Sequence, residues 1–314
     1  MKRLLASPWL YAAAVVALMI ALPFIVGQSG YYLTVFVMAS LYVISAISLN
    51  LLTGYGGQVS VGHAGFLVVG AYTAAVLSTK LGLPFVIALP ASGVMTALIS
   101  LVIGLPAVRL RGHFLAVATL GFGLSVPQIA LNWGSVTGGY SGMAVSRPDL
   151  LSSDLVFYYV VILFTVVITW MLYNIARSRM GRAFLAVRDS ESAAAATGIN
   201  VSFYKTIMFV VSAFFTGIAG GLYAYWTGFV SPNDFGISTS LLLLAMIVVG
   251  GLASITGAII GAVVLTFIPH FTESYVGVTD LIIGAAVVLV ILFRPAGIVS
   301  LGELVRGRGG RSDE

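Results

Sequence analysis

The 314-residue chain contains no cysteine and very few charged residues. Without cysteine it has no disulfide framework, no thiolate chemistry and no cysteine-based metal site. Charged residues make up 8% of the chain, whereas a soluble domain carries about 25%. Together with a hydrophobic fraction of 60%, this scarcity excludes an ordinary soluble domain and indicates an integral membrane protein.

Acidic residues are absent from the middle of every long apolar run. Asp149, Asp154, Asp234 and Glu273 fall in loops, and Asp280 lies at the start of a run. An ionisable group at the bilayer centre costs about 2.5 to 3.5 kcal/mol and usually marks a proton or ion relay. The pattern therefore disfavours a proton-coupled carrier. It leaves sodium sites open, because neutral oxygens can form them.

Several functional signatures are also missing. No phosphate-binding loop of the Gly-x-x-x-x-Gly-Lys-Ser/Thr type occurs, so any ATP has to be bound by another chain. No histidine is followed by glutamate, and Gly-x-Ser-x-Gly is absent, which argues against intramembrane proteases and other enzymes. The net charge of +5 arises from cations at the ends of apolar runs, so membrane topology explains it and nucleic-acid binding is not expected.

Ten apolar runs predict an all-α transmembrane bundle of about ten spans with interrupted helices. A hydrocarbon core of about 30 Å needs roughly 20 apolar residues per helix, and continuous runs favour helices over a β-barrel. The first run is interpreted as an uncleaved span rather than a signal peptide, because other spans follow it. The runs cover residues 8–27, 30–52, 61–79, 84–105, 114–131, 155–176, 204–226, 238–250, 254–271 and 278–293.

Three groups of cations predict which side of the membrane each loop occupies. They lie at residues 109–113, 177–205 and 294–311. Cations concentrate in cytoplasmic loops, so these groups and both termini are predicted to be cytoplasmic. The loop at 132–154, which carries Arg147 together with two aspartates, is predicted to lie outside.

The polar island at residues 177–205 has the signals of a short helix. Asp189 or Ser190 can cap it, Glu191 suits its first turn and Gly198 suits its end. A helix of about seven residues is unstable alone in water and needs a surface to pack against. Two interpretations remain, a docking helix for a cytosolic protein and a solvated loop. The island holds five of the 15 Lys and Arg residues: Arg177, Arg179, Arg182, Arg188 and Lys205.

Glycine interrupts the apolar pattern in two places. Residues 50–65 contain five glycines, and residues 250–254 repeat the Gly-Gly-x-x-Ser pattern of residues 56–60. Matching broken helices lie near the substrate path of many transporters, although chance explains a three-residue echo equally well. Non-helical backbone at membrane depth must be buried in protein or face a water-filled cavity.

The first interruption therefore supplies candidates for a translocation path. Its helix restart near Val61 can also attract a carboxylate. The alternative is close packing, in which glycines let helices approach and small polar residues bond across the contact. His63 by itself is more often a satisfied interior histidine than a metal ligand or proton carrier. The path candidates are Asn50, Tyr55, Gly57, Gln58, Ser60 and His63.

Three segments resemble those of branched-chain amino acid ABC transporter permeases. The likeness runs from about residue 30 to about residue 300 and is closer to the LivM-like than to the LivH-like subunit type. The segments are Gly181-Arg182-Ala183-Phe184-Leu185-Ala186-Val187-Arg188-Asp189-Ser190-Glu191-Ser192-Ala193-Ala194 with Thr197-Gly198-Ile199-Asn200, then Leu49-Asn50-Leu51-Leu52-x-Gly54-Tyr55-x-Gly57-Gln58-x-Ser60-x-Gly62-x-Ala64, and Phe293-Arg294-Pro295-x-Gly297.

The resemblance implies one permease subunit of an ATP-driven importer for leucine, isoleucine and valine in the bacterial inner membrane. Its implied partners are a LivH-like second permease, two cytosolic ATPases that bind ATP and Mg, and a periplasmic amino-acid-binding protein, with membrane lipid around the bundle. The chain itself would hold no cofactor. The alternative is an ATP-independent secondary carrier or channel for a small neutral solute.

The resemblance also implies a domain organisation and a set of coupling residues. Residues 1–29 would form an N-terminal segment with the first span, 30–300 the permease domain and 301–314 a cytoplasmic tail. The short cytoplasmic helix would enter a groove on an ATPase. Ser192 stands where many importers have alanine in a Glu-Ala-Ala pattern. The coupling residues implied by position are Arg182, Arg188, Asp189, Glu191, Ala193, Ala194 and Gly198.

Overall fold

The computed structural model describes residues 19–24, 30–107, 113–272, 278–293 and 297–298. Its long elements are α-helices, as the apolar runs predict. The two short strands in this part of the chain, β1 (Met143–Ala144) and β2 (Phe229–Val230), pair antiparallel. The long helices and the short ones between α5 and α8 are α1 (Gly30–Asn50), α2 (Ala64–Thr79), α3 (Phe85–Ala107), α4 (His113–Asn132), α5 (Asp154–Arg177), α6 (Arg179–Asp189), α7 (Glu191–Ala196), α8 (Val201–Thr227), α9 (Ile237–Gly250), α10 (Ile255–Thr272) and α11 (Val278–Phe293).

Helices that can cross a membrane dominate the described part of the chain, which confirms an all-α polytopic bundle. Six are long and apolar enough by length and composition, and three further apolar helices are shorter. The predicted first run lies mostly outside the described residues, so the count of about ten spans stays a prediction. The six are Gly30–Tyr55, Phe85–Pro106, Phe114–Asn132, Asp154–Arg177, Val201–Thr227 and Pro232–Gly250, and the shorter three are Ala64–Thr79, Ile255–Pro269 and Leu281–Val290.

The bundle is built around α1 and α8. In their most apolar windows, 83% of the residues of the span that contains α1 and 72% of those of α8 are buried, against 22% for α4. Helix α8 packs against α1, α2 and α3, and Phe66, Phe209 and Tyr225 are among the largest fully buried side chains. Because lipid is as apolar as these side chains, close packing and polar contacts hold such helices together. The most enclosed helices therefore form the frame for the remaining elements.

Both predicted interruptions are present. Helix α1 continues into a π-helical turn, Leu51–Tyr55, and the chain then leaves helical geometry until α2 begins. Residues 251–254 separate α9 from α10 in the same way, and Ala253 adopts a positive φ of 57° there. A π turn and a non-glycine residue at positive φ are both uncommon and often accompany functional sites.

The loop that follows α4 is fixed to the end of α8 by Arg147. Its Nε donates to the carbonyl of Tyr225 at 2.8 Å, and its Nη2 donates to the carbonyl of Trp226 at 2.5 Å. Its Nη1 lies 2.5 Å from Asp154 Oδ1. The guanidinium group also lies over the rings of Phe157 and Trp226, 5.0 and 4.8 Å from their centroids. We call this arrangement the clasp.

Candidate functional site

The polar island folds into two short helices, α6 and α7, which together form residues 179–196 and are called the elbow here. Ser178 caps α6 by accepting from the backbone N–H groups of Met180 and Gly181. Ser190 caps α7 by accepting from Ala193 N at 3.3 Å. The predicted cap at Ser190 is confirmed. Helix α7 ends at Ala196, and Gly198 follows two residues later with φ +87°, as the prediction of a glycine at the helix end expects.

The apolar side of the elbow packs on α8. Phe184 and Val187 are buried, and the Phe184 ring meets that of Tyr204 edge to face at 6.1 Å between centroids. Ala194 is also turned inward, with 3% of its surface exposed. Helices as short as α7 need such a surface to be stable. The elbow is therefore a packed structural unit and not a solvated loop.

The outward side of the elbow carries most of the predicted coupling residues. Their exposure leaves them available to another protein, whereas Glu191 is half-buried and Ala194 faces the chain's own interior. The roles of all seven as coupling residues stay predictions. The exposed members are Arg182, Arg188, Asp189, Ala193 and Gly198.

An ion pair joins the start of α7 to α8. Lys205 Nζ lies 2.5 Å from Glu191 Oε1, and the lysine side chain is only 7% exposed. The Lys205 backbone carbonyl accepts from Gln58 Nε2 at 3.3 Å. A charge this enclosed is stabilised only when it keeps its partner. Lys205 therefore links the elbow, α8 and the first interruption at one place.

Arg188 makes a second link between the elbow and the interruption. Its Nη1 donates to the carbonyl of Gly54 at 2.8 Å. Its side chain also lies against Gly57, where an added Cβ would approach Arg188 Cγ to 3.0 Å. Gly57 has φ +65°, a conformation that residues with a Cβ rarely adopt. The arginine thus rests on a backbone turn that suits glycine.

Asn50 connects the two interruptions, which the sequence relates only by a short echo. Its Nδ2 donates to the carbonyl of Ser254 at 2.8 Å, and its Oδ1 accepts from Ala253 N at 3.0 Å. The residue is fully buried. Gly54 lies against the same loop, because an added Cβ there would meet Ala253 N at 2.4 Å. The echoing segments are therefore in contact.

The segment after the π turn contains buried polar atoms with no hydrogen-bond partner. Gln58 and Ser60 are 3% and 1% exposed, yet Gln58 Oε1 and Ser60 Oγ have no partner among the described residues. Most buried polar side-chain atoms in folded proteins are bonded to protein or to ordered water. Two such exceptions within three residues are consistent with a hydrated path.

His63 lies in a cluster of hydroxyl groups contributed by α8. Its Nε2 is 2.9 Å from Thr216 Oγ1 and 3.3 Å from Ser212 Oγ. Its Nδ1 is buried without a partner in the described structure. Ser240 Oγ accepts from the backbone N–H of Ala64 at 3.0 Å. The expectation of a satisfied interior histidine thus holds for one ring nitrogen only.

Close packing explains other parts of the same segment. Gly62 lies directly against α4, because an added Cβ would stand 1.7 Å from the carbonyl oxygen of Thr119. Thr119 Oγ1 also accepts from Val61 N at 3.1 Å. Tyr55 is half-buried and Gly57 is exposed. The path and packing interpretations therefore apply to different residues, and path lining stays a prediction for all six candidates.

Sequence reasoning missed the residues that other helices bring to the site. Ser212, Thr216 and Ser240 come from α8 and α9, at least 149 positions away from the residues they meet. Small hydroxyls in long apolar helices are common, so no local signal singled them out. The start of α6 did have a local signal, because serine is a common N-cap residue. Ser178 accepts from the backbone N–H of Met180, two residues later.

Comparisons with known proteins agree on one family. Residues 31–292 match the family described as the permease component of the branched-chain amino acid transport system. The chain is 32% identical to the high-affinity branched-chain amino acid transport system permease protein LivM of Escherichia coli, over 93% of this chain and 75% of that protein. LivM of Salmonella typhimurium gives the same figures.

A second subunit type is related over a shorter range. LivH of E. coli is 31% identical over 40% of this chain and 42% of its own length. No solved structure matches the chain. The family match covers most of the chain, including both interruptions and the elbow. The chain therefore belongs to the branched-chain amino acid transport permease family.

Proposed function

We propose that the chain is the LivM-like permease subunit of an ATP-driven importer for leucine, isoleucine and valine in the bacterial inner membrane. Its similarity to the LivM proteins over 93% of its length supports this assignment. The part of the chain that the structure describes is a bundle of apolar helices and contains no domain that could hydrolyse ATP. The energy source is therefore assigned to other chains.

The partners follow from the same relationship. A LivH-like permease would pair with this chain. LivH shares part of its sequence with this chain, which supports an importer whose path lies between two related subunits. Two cytosolic ATPases would bind ATP and Mg. A periplasmic amino-acid-binding protein would deliver the substrate. Ground-state affinity would reside mostly in that protein, because a deep site within the bundle would trap the solute.

The elbow is the observation that carries the proposal. It is a folded unit that presents Arg182, Ala193 and Gly198 on its outer side and packs on α8 on its inner side. Nucleotide-driven closure of the ATPases would push on this outer side. The movement would then switch the path between openings on the two sides of the membrane.

The path itself is assigned to the buried segment near Gln58, Ser60 and His63. Their unpartnered oxygen and nitrogen atoms can bond to water or to a passing zwitterion without a fixed charge. A weakly polar surface of this kind lets a solute enter and leave. Ser212 and Thr216 would complete it, since both hydroxyls lie beside the histidine ring.

The proposed topology has ten spans, with the elbow and both termini in the cytoplasm. The absence of cysteine makes this simple to test, because single cysteines introduced at exposed positions are unique labelling sites. Ala196→Cys in the elbow should react only with cytoplasmic reagent, and Ala144→Cys only with periplasmic reagent. Labelling of Ala196→Cys from outside would contradict the topology and the coupling role together.

The test of function uses vesicles that contain this chain with its permease, ATPase and binding-protein partners. We expect leucine uptake only when ATP is present on the ATPase side. Ala193→Trp should lower uptake at least about fivefold with normal membrane insertion, because the bulky ring occupies the docking face. Ala193 is a cleaner probe than Ala194, since Ala194 is buried within the chain.

Ala144→Trp is the matched control, because Ala144 is exposed on β1, near the clasp. It should leave uptake unchanged. Uptake by the chain alone without ATP would favour a secondary carrier or channel. Equal uptake by the Ala193→Trp and Ala144→Trp proteins would contradict docking at the elbow.

A further inference from the structure

The elbow touches the first interruption directly, and this contact has features of a mechanical linkage. Helices α6 and α7 are each capped by their own serine and share a packed face on α8. The π turn that begins the interruption packs against α5, α6 and α8. A movement of the elbow therefore reaches the interruption without passing through the length of a span.

Arg188 makes the described hydrogen bond from the elbow to that turn. Its Nη1 binds the Gly54 carbonyl at 2.8 Å, and its Cγ lies 3.0 Å from where a Cβ of Gly57 would be. The bonded carbonyl belongs to a π turn, in which the backbone departs from regular α-helical bonding. The arginine thus holds the backbone just before the buried polar atoms of Gln58 and Ser60.

The ion pair of Glu191 and Lys205 holds the elbow to α8 three residues from Arg188. It ties the start of α7 to α8, and the Lys205 carbonyl binds Gln58. Arg188 and Glu191 are three residues apart, so the ion pair and the Arg188 bond join the elbow to the first interruption at the same place. A displacement of the elbow at this place would be carried by Arg188 to residues 54–57.

We propose that Arg188 is a positioning residue that transmits movement of the elbow to the backbone of residues 54–60, which lines the path. The proposal rests on the proposed function, because it requires a cytosolic motor that moves the elbow. It goes beyond docking, because Arg188 acts here on the interior of its own chain. The elbow and the interruption should then move as one unit.

A purely structural role of Arg188 predicts a different experimental result. The Arg188 side chain is 40% exposed and has one described hydrogen bond to the turn, so its contribution to folding is small. A transmission role predicts a change in the ratio of solute transported to ATP hydrolysed. A docking role predicts loss of ATPase association instead.

The first experiment measures this ratio in vesicles with the full set of partners. Arg188→Gln should lower leucine uptake per ATP at least about fivefold, while the ATPases still co-purify and hydrolyse ATP. Arg188→Lys should recover part of the loss, because its amine can still donate to the Gly54 carbonyl. Arg179→Gln is the matched control, an exposed arginine at the other end of α6, and should behave as the unmodified chain.

A cysteine pair provides a test that does not depend on comparing different proteins. An added Cβ at Gly57 would lie 3.4 Å from Arg188 Cβ, near the mean of about 3.8 Å for disulfides. The Gly57→Cys/Arg188→Cys chain has only these two cysteines. A cysteine at residue 57 is strained at φ +65° in both redox states, so this strain cancels when the reduced and oxidised forms are compared.

We expect the reduced pair to hydrolyse ATP with poor uptake, and the oxidised pair to recover uptake about fivefold or more. The single-cysteine chains should not respond to oxidation. Unchanged or lower uptake after oxidation would overturn the proposal, as would an Arg188→Gln chain that loses its ATPases or matches Arg179→Gln. Failure of the proposed function is distinguishable, because the unmodified complex would then show no ATP-dependent uptake.

Discussion

Two arginines bond to backbone carbonyls near opposite ends of α8, but in different ways. In the clasp, Arg147 binds two carbonyls and Asp154 and lies over two aromatic rings. In the elbow, Arg188 donates one bond to the Gly54 carbonyl and stays exposed. A helix of 27 residues separates these ends by about 40 Å.

The difference indicates that the two ends have different tasks. Every contact of the clasp joins Arg147, in a short loop, to the end of α8 or the start of α5. Loss of Arg147 would therefore remove the partner of several groups at once. The Arg188 contact crosses 134 positions of sequence with one bond, so it adds little stability while linking two separate segments. We infer that the clasp end is fixed and that the elbow end is adjustable.

The largest expected effect on stability is at the clasp. Arg147→Ala should lower the unfolding free energy by about 4 kcal/mol, because it removes charge-assisted bonds and two cation–π contacts. Arg188→Ala should lower it by less than about 1 kcal/mol, because solvent screens the exposed side chain. Denaturant titrations of both purified proteins in detergent would measure the difference. Equal losses would remove the distinction between the two ends.

The next largest effect is expected where the two interruptions meet. Asn50→Leu should cost about 3 kcal/mol, since it leaves a part-buried carbonyl and a part-buried N–H without the partners they have in Asn50. Asn132→Leu is the control, because Asn132 is exposed and its Nδ2 bonds within α4. Denaturant titrations of both purified proteins in detergent would measure the difference in unfolding free energy. A stable Asn50→Leu chain with altered uptake would contradict this structural role and favour path lining by Asn50.

The smallest effect on stability is expected at Gln58. Gln58→Leu loses one long hydrogen bond but also removes a buried oxygen that has no described partner, so the net change should be within about 0.5 kcal/mol. Leucine uptake should nevertheless change severalfold, with ATPase association preserved. Gln128→Leu, at an exposed glutamine of α4, should change neither. An effect of Gln58→Leu on assembly alone would support packing at this position.

Much of the fold was predictable because lipid imposes a strong local rule. Apolar runs must be helical where no water can bond the backbone, so the runs at 30–52, 155–176 and 204–226 coincide with α1, α5 and α8 to within a few residues. Ser190 and Gly198 act locally, through a cap and a positive φ. These features depend on neighbours in sequence.

The contacts that make the site were not predictable in the same way. The bonds of Arg188 to Gly54, of Gln58 to Lys205 and of His63 to Thr216 join residues 134 to 153 positions apart. Each depends on how helices cross, which hydropathy does not encode. Asn50 shows the consequence, because the sequence did not indicate that its side chain bonds to the second interruption. Its place in the path stays a prediction.

The most direct test of a fixed clasp end and an adjustable elbow end is a distance measurement by pulsed electron spin resonance. Spin labels at Ala196 and Val59, both exposed, report the elbow and the interruption, and a pair at Ala196 and Ala144 reports the elbow and the clasp end. In the assembled complex, ATP should change the second distance by about 2 Å or more and leave the first unchanged. A change in the first distance without a change in the second would contradict transmission through Arg188.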